Sequence, residues 1–367
     1  DIDIVVELIG GTTVAYDLVM LALENGKHVV TANKALIAEH GGTIFAQAEA
    51  RGLMVCYEAA VAGGIPIIKA LREGLSANRI NWLAGIINGT TNFILSEMDT
   101  KGREFADVLS EAQAKGYAEA DPTFDVEGID ASHKLAILAS IAFAMPLSLD
   151  GLFTDGITQL EPQDVAYARE LGYVIKHLGI ARQSDAGVEL RVHPTLVPER
   201  SLIAGVNDVA NAIMVNADAV GTTLFYGPGA GAEPTASAVI ADIVDVARVM
   251  DSYPDSWVPG LGCNSSAIQP RTIMDIEDVE TGFYIRFSAL DKPGVLSDVT
   301  KIMGDAGISI EAIIQREQPA GERYVNVIIL TNVTKEKFLN EAVTHIEQLE
   351  TVRGEVSFIR VEYLDQV

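Results

Sequence analysis

Cysteine, aromatic residues and long apolar runs are all scarce in this chain of 367 residues. Its two cysteines, Cys56 and Cys263, are too few for a disulfide framework, and neither belongs to a CxxC metal-binding pattern. This usage is typical of a reducing compartment, so we expect a cytoplasmic protein. No apolar run approaches the roughly 18 residues that a membrane span needs, and no signal peptide is visible. We therefore expect no membrane partner.

Positive charge is also scarce, because 26 basic residues face 51 acidic ones and leave a formal net charge of −25. Such a surface repels phosphate backbones, which makes nucleic acid a poor partner. The apolar fraction of 49% is that of a globular protein with a large core. The length exceeds what one core usually serves, so we expect two or three domains.

Residues 1–66 alternate apolar runs with helical patterns. The runs at 4–9, 28–31 and 53–57 have the length of buried strands, and apolar residues at helical spacing separate them. This rhythm predicts an α/β fold with a doubly wound, Rossmann-like parallel sheet.

The rest of the chain predicts two further domains. Residues 67–228 mix helices and strands, which indicates an α+β domain. An apolar helix follows within 229–253, and we expect this segment to return to the first sheet. Residues 254–280 contain three prolines and no periodicity, which predicts a linker. Residues 281–367 show a β-α-β-β-α-β pattern, which indicates a ferredoxin-like domain.

An acidic cluster surrounds a lysine in the segment 116–134. Asp130 and Lys134 stand four residues apart and therefore share one helix face, on a helix that is otherwise mostly apolar. One interpretation is a surface salt bridge. The other is a cleft in which carboxylates, including Glu119, bind a substrate ammonium and keep Lys134 charged as a proton donor.

Three further segments have both a structural and a functional interpretation. Lys34 opens a helix after a strand, where an anionic ligand explains a positive charge better than the helix dipole does, although an exposed lysine is the simpler alternative. The segment 57–66 is a glycine-rich turn or a monovalent-cation site. The segment 88–90 caps a helix or forms a wall of the substrate cleft.

The chain resembles homoserine dehydrogenase over nearly its whole length. The resemblance is carried in order by VVELIGG, HVVTANKALIA, YEAAVAGGIPII, GIINGTTNFIL, GYAEADPTFDVEGIDASHKLAILA and GAGAEPTASAVIADI. It implies the NADP- or NAD-dependent interconversion of L-homoserine and L-aspartate 4-semialdehyde in amino-acid biosynthesis. It also implies that residues 67–228 form the domain for substrate binding, catalysis and dimerisation of a homo-oligomer, either a dimer or a tetramer.

The resemblance assigns roles to particular residues. The expected catalytic residues are Lys134, the favoured proton donor, with Lys34 and Asp130. The expected substrate-binding residues are Glu119, Asp130, Asn88, Gly89 and Thr90. The expected cofactor-binding residues are Gly10, Thr12, Thr31, Lys34, Gly229 and Gly231. A sodium ion is expected at Glu58, Val61, Gly63 and Ile65.

The C-terminal region resembles an ACT domain, which implies an amino-acid effector at the turn after its first strand. For this family the expected effector is L-threonine, the pathway product. The residues expected to bind it are Asp291, Pro293, Gly294, Val295 and Leu296.

One departure from the family concerns the cofactor domain. The family begins with a strand and a G-x-G-x-x-G turn that holds the pyrophosphate, and no such turn precedes Val5. The sequence therefore predicts a truncated cofactor domain that lacks the residue selecting NADP or NAD. This absence favours the alternative of a catalytically impaired scaffold with an amino-acid-sensing domain. The retained lysines and acids favour the enzyme, and a different amino-acid dehydrogenase is a third hypothesis.

Overall fold

A computed structural model describes residues 2–316 and 323–364 of the chain, without the side chain of Asp255. Residue 1 of the predicted first domain, and 317–322 and 365–367 of the predicted last domain, lie outside the described residues. No helix in the described part is both long enough and apolar enough to cross a membrane.

The first unit is a three-stranded parallel sheet in the order β1-β2-β3, joined by two helices. Its elements are β1 (Ile4–Glu7), α1 (Val14–Glu24), β2 (His28–Thr31), α2 (Lys34–Ala50) and β3 (Val55–Cys56). The Rossmann-like parallel sheet predicted from the alternation is confirmed. The third strand is shorter than the apolar run 53–57, because only Val55 and Cys56 pair with β2.

The second unit is an antiparallel sheet with helices on one side. Its elements are α3 (Ile67–Lys69), which continues as a π-helical turn over Ala70–Gly74, then β4 (Ile80–Ile86), α4 (Gly89–Lys101), α5 (Phe105–Ala114), α6 (Thr123–Val126), α7 (Ile129–Phe143), β5 (Phe153–Thr154), α8 (Pro162–Glu170), β6 (Tyr173–Ser184), β7 (Gly187–Pro198), β8 (Ala210–Ala217) and β9 (Gly221–Pro228). The main strands lie in the order β7-β6-β4-β8-β9. Helix α7 packs between this sheet and α2, and twelve of its fifteen residues are buried, which explains why it is apolar on nearly every face.

Helix α9 (Ala232–Val249) packs on β2, where Val239 and Val246 meet Val30 in a small apolar cluster. The segment after it contains three short 3-10 turns but is not a free tether. Tyr57 donates a hydrogen bond of 2.6 Å to the carbonyl of Gly260, Leu261 is buried, and Ile273 forms a β-bridge with Val188. The predicted linker is thus an irregular strap held against the first two units.

The last unit has the predicted ferredoxin-like fold. Its elements are β10 (Glu280–Leu290), α10 (Val295–Asp305), β11 (Ile310–Gln315), β12 (Tyr324–Thr331), the short β13 (Thr334–Lys335), α11 (Glu336–Glu347) and β14 (Val352–Val361). The sheet order β11-β12-β10-β14 continues directly into the second unit, because β14 pairs in parallel with β7 through Arg360–Thr195 and Val361–Leu196.

Buried ion pairs hold the last two units together. Arg286 of β10 donates to Asp164 of α8 at 2.6 Å, and Arg191 of β7 donates to Glu362 at 2.5 Å. Charges buried at this depth are tolerated only when they are paired and hydrogen-bonded. Paired charges and a shared sheet therefore join the C-terminal domain to the second unit.

Candidate active site

The site forms where α7 begins beside the carboxyl end of β2. Gly128 precedes α7 with φ +82, and a Cβ at this position would lie 3.1 Å from Thr154 and 3.2 Å from His177. Only glycine fits this left-handed, closely packed position. The tight turn brings the first turn of α7, with Asp130, against the sheet.

Asp130 bridges the two lysines. Its Oδ1 lies 3.0 Å from Lys34 Nζ, and its Oδ2 accepts a hydrogen bond of 2.7 Å from Lys134 Nζ. Lys134 donates a second bond of 2.7 Å to the carbonyl of Ile87 at the end of β4. Two ammonium groups from different units thus meet on one carboxylate, which excludes the surface salt bridge considered from sequence.

Asp130 is held in its charged form. Its side chain is 5% exposed, and such burial by itself raises a carboxyl pKa. The ammonium groups of Lys134 and Lys34, with the hydrogen bonds from Lys134 and Asn88, outweigh this effect and lower the pKa of Asp130 to about 2. The side chain of Lys134 is 12% exposed and that of Lys34 is 34% exposed, so both side chains keep some contact with solvent.

Asn88, expected to bind substrate, contacts the acid between the two lysines. Its Nδ2 donates to Asp125 at 2.7 Å and to Asp130 at 2.9 Å, while its Oδ1 accepts from the amide of Thr91 and caps α4. The side chain is buried, and both of its polar atoms have partners. Asn88 therefore positions Asp130.

Gly89 and Thr90, which are also expected at the substrate site, hold the start of α4 in place. A Cβ at Gly89 would lie 2.9 Å from the carbonyl of Val209, so this residue permits close backbone packing. The buried hydroxyl of Thr90 donates 2.7 Å to the carbonyl of Tyr117 and ties the start of α4 to the acidic loop.

The acidic stretch predicted around the lysine divides in two. Asp125 lies beside Asp130, and burial raises its pKa against the lowering effect of the Asn88 hydrogen bond. Glu119 and Asp121 are exposed, and Asp121 accepts bonds from Thr123. The carbonyl of Glu119 accepts from Gln113, whereas its carboxylate has no hydrogen bond or ion pair among the residues described.

The helix that carries Lys34 is anchored to the loop after β1. Asn33 caps α2 by accepting from the amide of Leu36, and its Nδ2 donates 2.7 Å to the carbonyl of Gly11. The loops at the carboxyl ends of β1 and β2 are therefore held together. This is the edge at which ligands of parallel sheets bind.

Thr31 is expected to contact the cofactor, and its side chain makes hydrogen bonds within the protein. The hydroxyl is fully buried, donates 2.7 Å to Glu7 Oε2 and accepts from the amide of Asn33. Glu7 in turn accepts the amides of Ile9 and Gly10. The side chains of Thr31 and Glu7 hold the loop in shape, because their polar atoms are paired with groups inside it.

The turn between β1 and α1 fits an anionic ligand. Gly10 and Gly11 both have φ +74, and a Cβ on either would meet nothing within 4 Å. Thr13, the residue before α1, makes no side-chain capping bond, so its side chain does not occupy the first amides of the helix. Open space beside helix N–H groups is a suitable place for phosphate oxygens. Thr12 is half-buried within this turn.

The segments of the predicted sodium and second glycine sites touch each other. Gly63 has φ +47, and a Cβ there would lie 2.5 Å from the carbonyl of Gly229. A Cβ on Gly229 would overlap the side chain of Asn211. Gly231, with φ +116, precedes α9. Gly63 is thus required by its approach to the backbone of Gly229, and Gly229 by its approach to the Asn211 side chain.

The carboxylate of Glu58 is engaged within the protein. It accepts the amides of Ile68 at 2.9 Å and Lys69 at 3.0 Å, and the carbonyl of Ile65 accepts from Ile67. Burial raises the pKa of Glu58 to about 7, against the lowering effect of these amides. No group of three or more His, Cys, Asp or Glu suited to a metal occurs in the described part of the chain. Each carboxylate oxygen of Glu58 therefore already accepts one backbone amide.

The predicted effector turn lines a cavity of about 310 Å³ in the last unit. Its walls include Gln315, Val325 and Val327, and Gln315 donates 3.2 Å to Asp291 Oδ1. All of the residues named for the effector lie on its rim: Asp291, Pro293, Gly294, Val295 and Leu296.

Three site features escaped the sequence analysis. The carbonyl of Ile87 carried no signal, since backbone groups are identical in every sequence. Phe124, whose ring centre lies 5.5 Å from Lys34 Nζ, looked like an ordinary loop aromatic. Glu7 could have been predicted from the sequence, because a carboxylate at the end of an apolar strand needs buried hydrogen-bond partners.

Three family models match the chain. The models for homoserine dehydrogenase, for the homoserine dehydrogenase NAD binding domain and for the ACT domain match residues 66–244, 1–58 and 283–351. The NAD binding model extends from the first residue, so it does not confirm the prediction of a truncated cofactor domain.

Named relatives are similar over almost the whole chain. A homoserine dehydrogenase of Pseudomonas aeruginosa is 61% identical over 100% of this chain and 84% of its own length. One of Neisseria gonorrhoeae is 52% identical over 99% and 83%. Among solved structures, a homoserine dehydrogenase from Thiobacillus denitrificans has a TM-score of 0.94 at 59% identity, covering 99% of this chain and 82% of its own. A hyperthermophilic archaeal homoserine dehydrogenase in complex with NADPH has a TM-score of 0.58 at 27% identity, covering 67% and 71%.

Proposed function

The chain belongs to the homoserine dehydrogenase family, and from that premise we propose that Lys134 donates the proton in its NAD(P)-dependent interconversion of L-aspartate 4-semialdehyde and L-homoserine. The observation that supports this role is the shared carboxylate of Asp130, which binds Lys134 and Lys34 together. In the reductive direction a carbonyl becomes a hydroxyl, so the oxygen must gain a proton.

Lys134 has one N–H left for that oxygen. An ammonium has three donors, and two of them go to Asp130 and to the carbonyl of Ile87. These two bonds fix the direction of the third. Its partial burial limits competition from water, which strengthens a charge-assisted hydrogen bond.

The charges of the cluster suit a developing alkoxide. Two ammonium groups, those of Lys134 and Lys34, contact the single ionised carboxylate of Asp130. They place positive charge where oxygen becomes negative in the transition state. Lys34 contributes this charge beside Lys134, and Asp130 orients both lysines.

The substrate also carries an α-ammonium, which needs an acid. We assign this role to Glu119, whose carboxylate is exposed and has no ion-pair partner among the described residues. Asp125 lies nearer the lysines and completes the acidic side of the cleft. Gly89 and Thr90 shape the wall between these groups.

The nicotinamide cofactor supplies the hydride when it is bound. The turn that contains Gly10 and Thr12 offers open space and helix amides to its phosphates, and Lys34 extends from the neighbouring strand end. Gly229 approaches the cofactor unit through its contact with Gly63, and Gly231 follows it immediately before α9. The preference between NADP and NAD is measured by comparing turnover with the two cofactors.

A sodium ion is proposed at the turn 58–65. Glu58 and Ile65 each already accept an amide there, so the carbonyls of Val61 and Gly63 would supply further oxygen ligands. The corresponding test compares turnover in sodium and choline salts of equal ionic strength, and equal rates in both would remove the site.

We further propose L-threonine as the effector at the cavity of the ACT domain. A cavity of about 310 Å³ accommodates an amino acid, and its rim holds the start of α10. Threonine should protect the amides of 291–296 from hydrogen exchange, and unchanged exchange at saturating threonine would reject it.

We also propose a homo-oligomer, testable by light scattering, and a cytoplasmic location, which two free thiols support.

The proposed reaction is tested by following NADPH and NADH absorbance with L-aspartate 4-semialdehyde, and the reverse reaction with L-homoserine and L-serine. We expect turnover with homoserine and much less with serine, which is one methylene shorter. Equal turnover of both would favour a different amino-acid dehydrogenase. The impaired-scaffold alternative expects no turnover with either cofactor, and the assembled lysine–aspartate cluster argues against it.

A further inference from the structure

A second cavity, of about 520 Å³, lies beside β3, and no residue of the lysine–aspartate cluster lines it. Its walls come from α2, β3, the π-helical turn after α3, the end of α9 and the strap 252–268. The volume falls within the range that small organic ligands occupy in proteins. Neither the dehydrogenase reaction nor the effector turn uses it.

The cavity contains an incompletely paired arginine. The side chain of Arg72 is 9% exposed, and its Nε is buried without a hydrogen-bond partner among the described residues. Its remaining bonds are long, at 3.4 Å to the carbonyl of Gly260 and 3.3 Å to Glu73, whose side chain is 44% exposed. A buried donor without an acceptor is costly, and a buried charge more so.

The other acids around the cavity bind other groups. Asp245 contacts Lys69 and Arg248, and Asp242 accepts the amide of Glu58 at 2.8 Å. Glu49 is the acceptor of a longer bond from the amide of Ser265. Among the described residues, Glu73 is thus the one carboxylate within ion-pair distance of Arg72.

The local backbone also marks Arg72. It lies within the π-helical turn Ala70–Gly74, in which the chain departs from the α-helix begun at Ile67. Such turns are rare and occur often at functional sites, because the widened turn redirects a side chain.

The remaining walls define the chemistry of a ligand. Phe45, Leu53, Leu261 and Ile268 supply apolar surface, and Trp257 lies among them. Cys56 and Cys263 also line the cavity, but burial raises the pKa of both thiols, that of Cys56 to about 12. Neutral thiols are poor nucleophiles and poor metal ligands, which argues against a redox or metal site.

We propose that this cavity binds a small organic carboxylate with an apolar body, whose oxygens accept the N–H groups of Arg72. A carboxylate matches the planar guanidinium with two parallel bonds and satisfies the unpaired Nε. Its apolar part replaces water against the aromatic and aliphatic walls. The ligand would touch the cofactor unit, α9 and the strap at once, and so would brace the junction that leads to the ACT domain.

Trp257 provides a direct readout, because the chain has only one other tryptophan, Trp82 in β4. In a Trp82→Phe background, fluorescence is titrated with 3-phenylpropionate and with the uncharged 3-phenylpropionamide. We expect a saturable change with the carboxylate and at least tenfold weaker binding of the amide. Equal binding of the two probes, or no response to the carboxylate in fluorescence and calorimetry, overturns the proposal.

Variants locate the charge. Arg72→Gln should weaken binding at least tenfold, whereas Arg248→Gln, which removes a 72% exposed arginine of the same cavity, should not. Retained dehydrogenase activity shows that each variant is folded. Ile268→Glu provides an independent test, because it puts a negative charge, like that of the ligand, on a half-buried wall and should also abolish binding. Unchanged affinity in Arg72→Gln rejects the site. If Arg72→Gln does not fold, unchanged affinity in Ile268→Glu rejects it.

Discussion

Replacing Lys134 by methionine tests the proposed proton donor most directly. Methionine keeps the length and apolar stem of the side chain but removes the ammonium that binds Asp130 and Ile87. General acid catalysis contributes about 10²–10⁴-fold, so we expect turnover to fall by about 10²-fold or more. The Michaelis constant for NADPH should change little, because the ammonium contacts the oxygen that reacts.

The same substitution has a predictable effect on stability. Breaking a buried ion pair costs about 3–5 kcal/mol when the remaining charge is left alone. Asp130 keeps Lys34 at 3.0 Å and Asn88 at 2.9 Å, so we expect a smaller loss, of about 1–3 kcal/mol.

The assay is steady-state NADPH oxidation with L-aspartate 4-semialdehyde, paired with urea unfolding of the same preparations. Lys101→Met is the matched control, because that lysine is 59% exposed and pairs with Glu97 away from the cluster. The control should retain its turnover. A folded Lys134→Met enzyme with unaltered turnover would refute the proton-donor role and with it the directional argument from the two fixed N–H bonds.

Three further predictions follow from individual contacts. Asn88→Ala removes a helix cap and two bonds to acids, so urea unfolding should show a loss of about 1–3 kcal/mol, and turnover should fall without a change in the NADPH Michaelis constant. The pKa of Asp130, about 2, lies below its ordinary 3.8. Its ionised form therefore adds about 2 kcal/mol to the free energy of unfolding above pH 4, and this contribution disappears as the pH falls toward 2. Asp130→Asn should remove this dependence of the unfolding free energy on acid pH. Gly63→Ala, with φ +47 and a clash with Gly229, should lower the melting temperature, whereas Gly74→Ala, which meets nothing, should not.

The join between the ACT domain and the catalytic sheet gives the proposed effector a physical route to the cluster. Arg360 of β14 pairs with Glu336 and stacks on Phe153 of β5, with 4.6 Å to the ring centre. The next residue, Thr154, shares a hydrogen bond of 2.7 Å with Ser132, which lies between Asp130 and Lys134 on α7. A shift of β14 would therefore reach the first turn of α7 through two packed residues of β5.

The local pattern of the sequence determined the elements of this protein. Alternating apolar runs indicated the parallel sheet, and the β-α-β-β-α-β order indicated the last domain, because each rests on periodicity within a short window. The spacing of Asp130 and Lys134 placed them on one helix face for the same reason. The ordered motifs indicated the family.

Only the tertiary structure decided which side chains meet and which are already used. Lys34 reaches Asp130 because the end of β2 packs beside the start of α7. Thr31 and Asn88 turn inward to partners distant in sequence, and no local pattern reports whether a polar atom is already paired. The pairing of β14 with β7 was equally hidden, since strand partners are chosen by packing between units and not by the pattern within either strand.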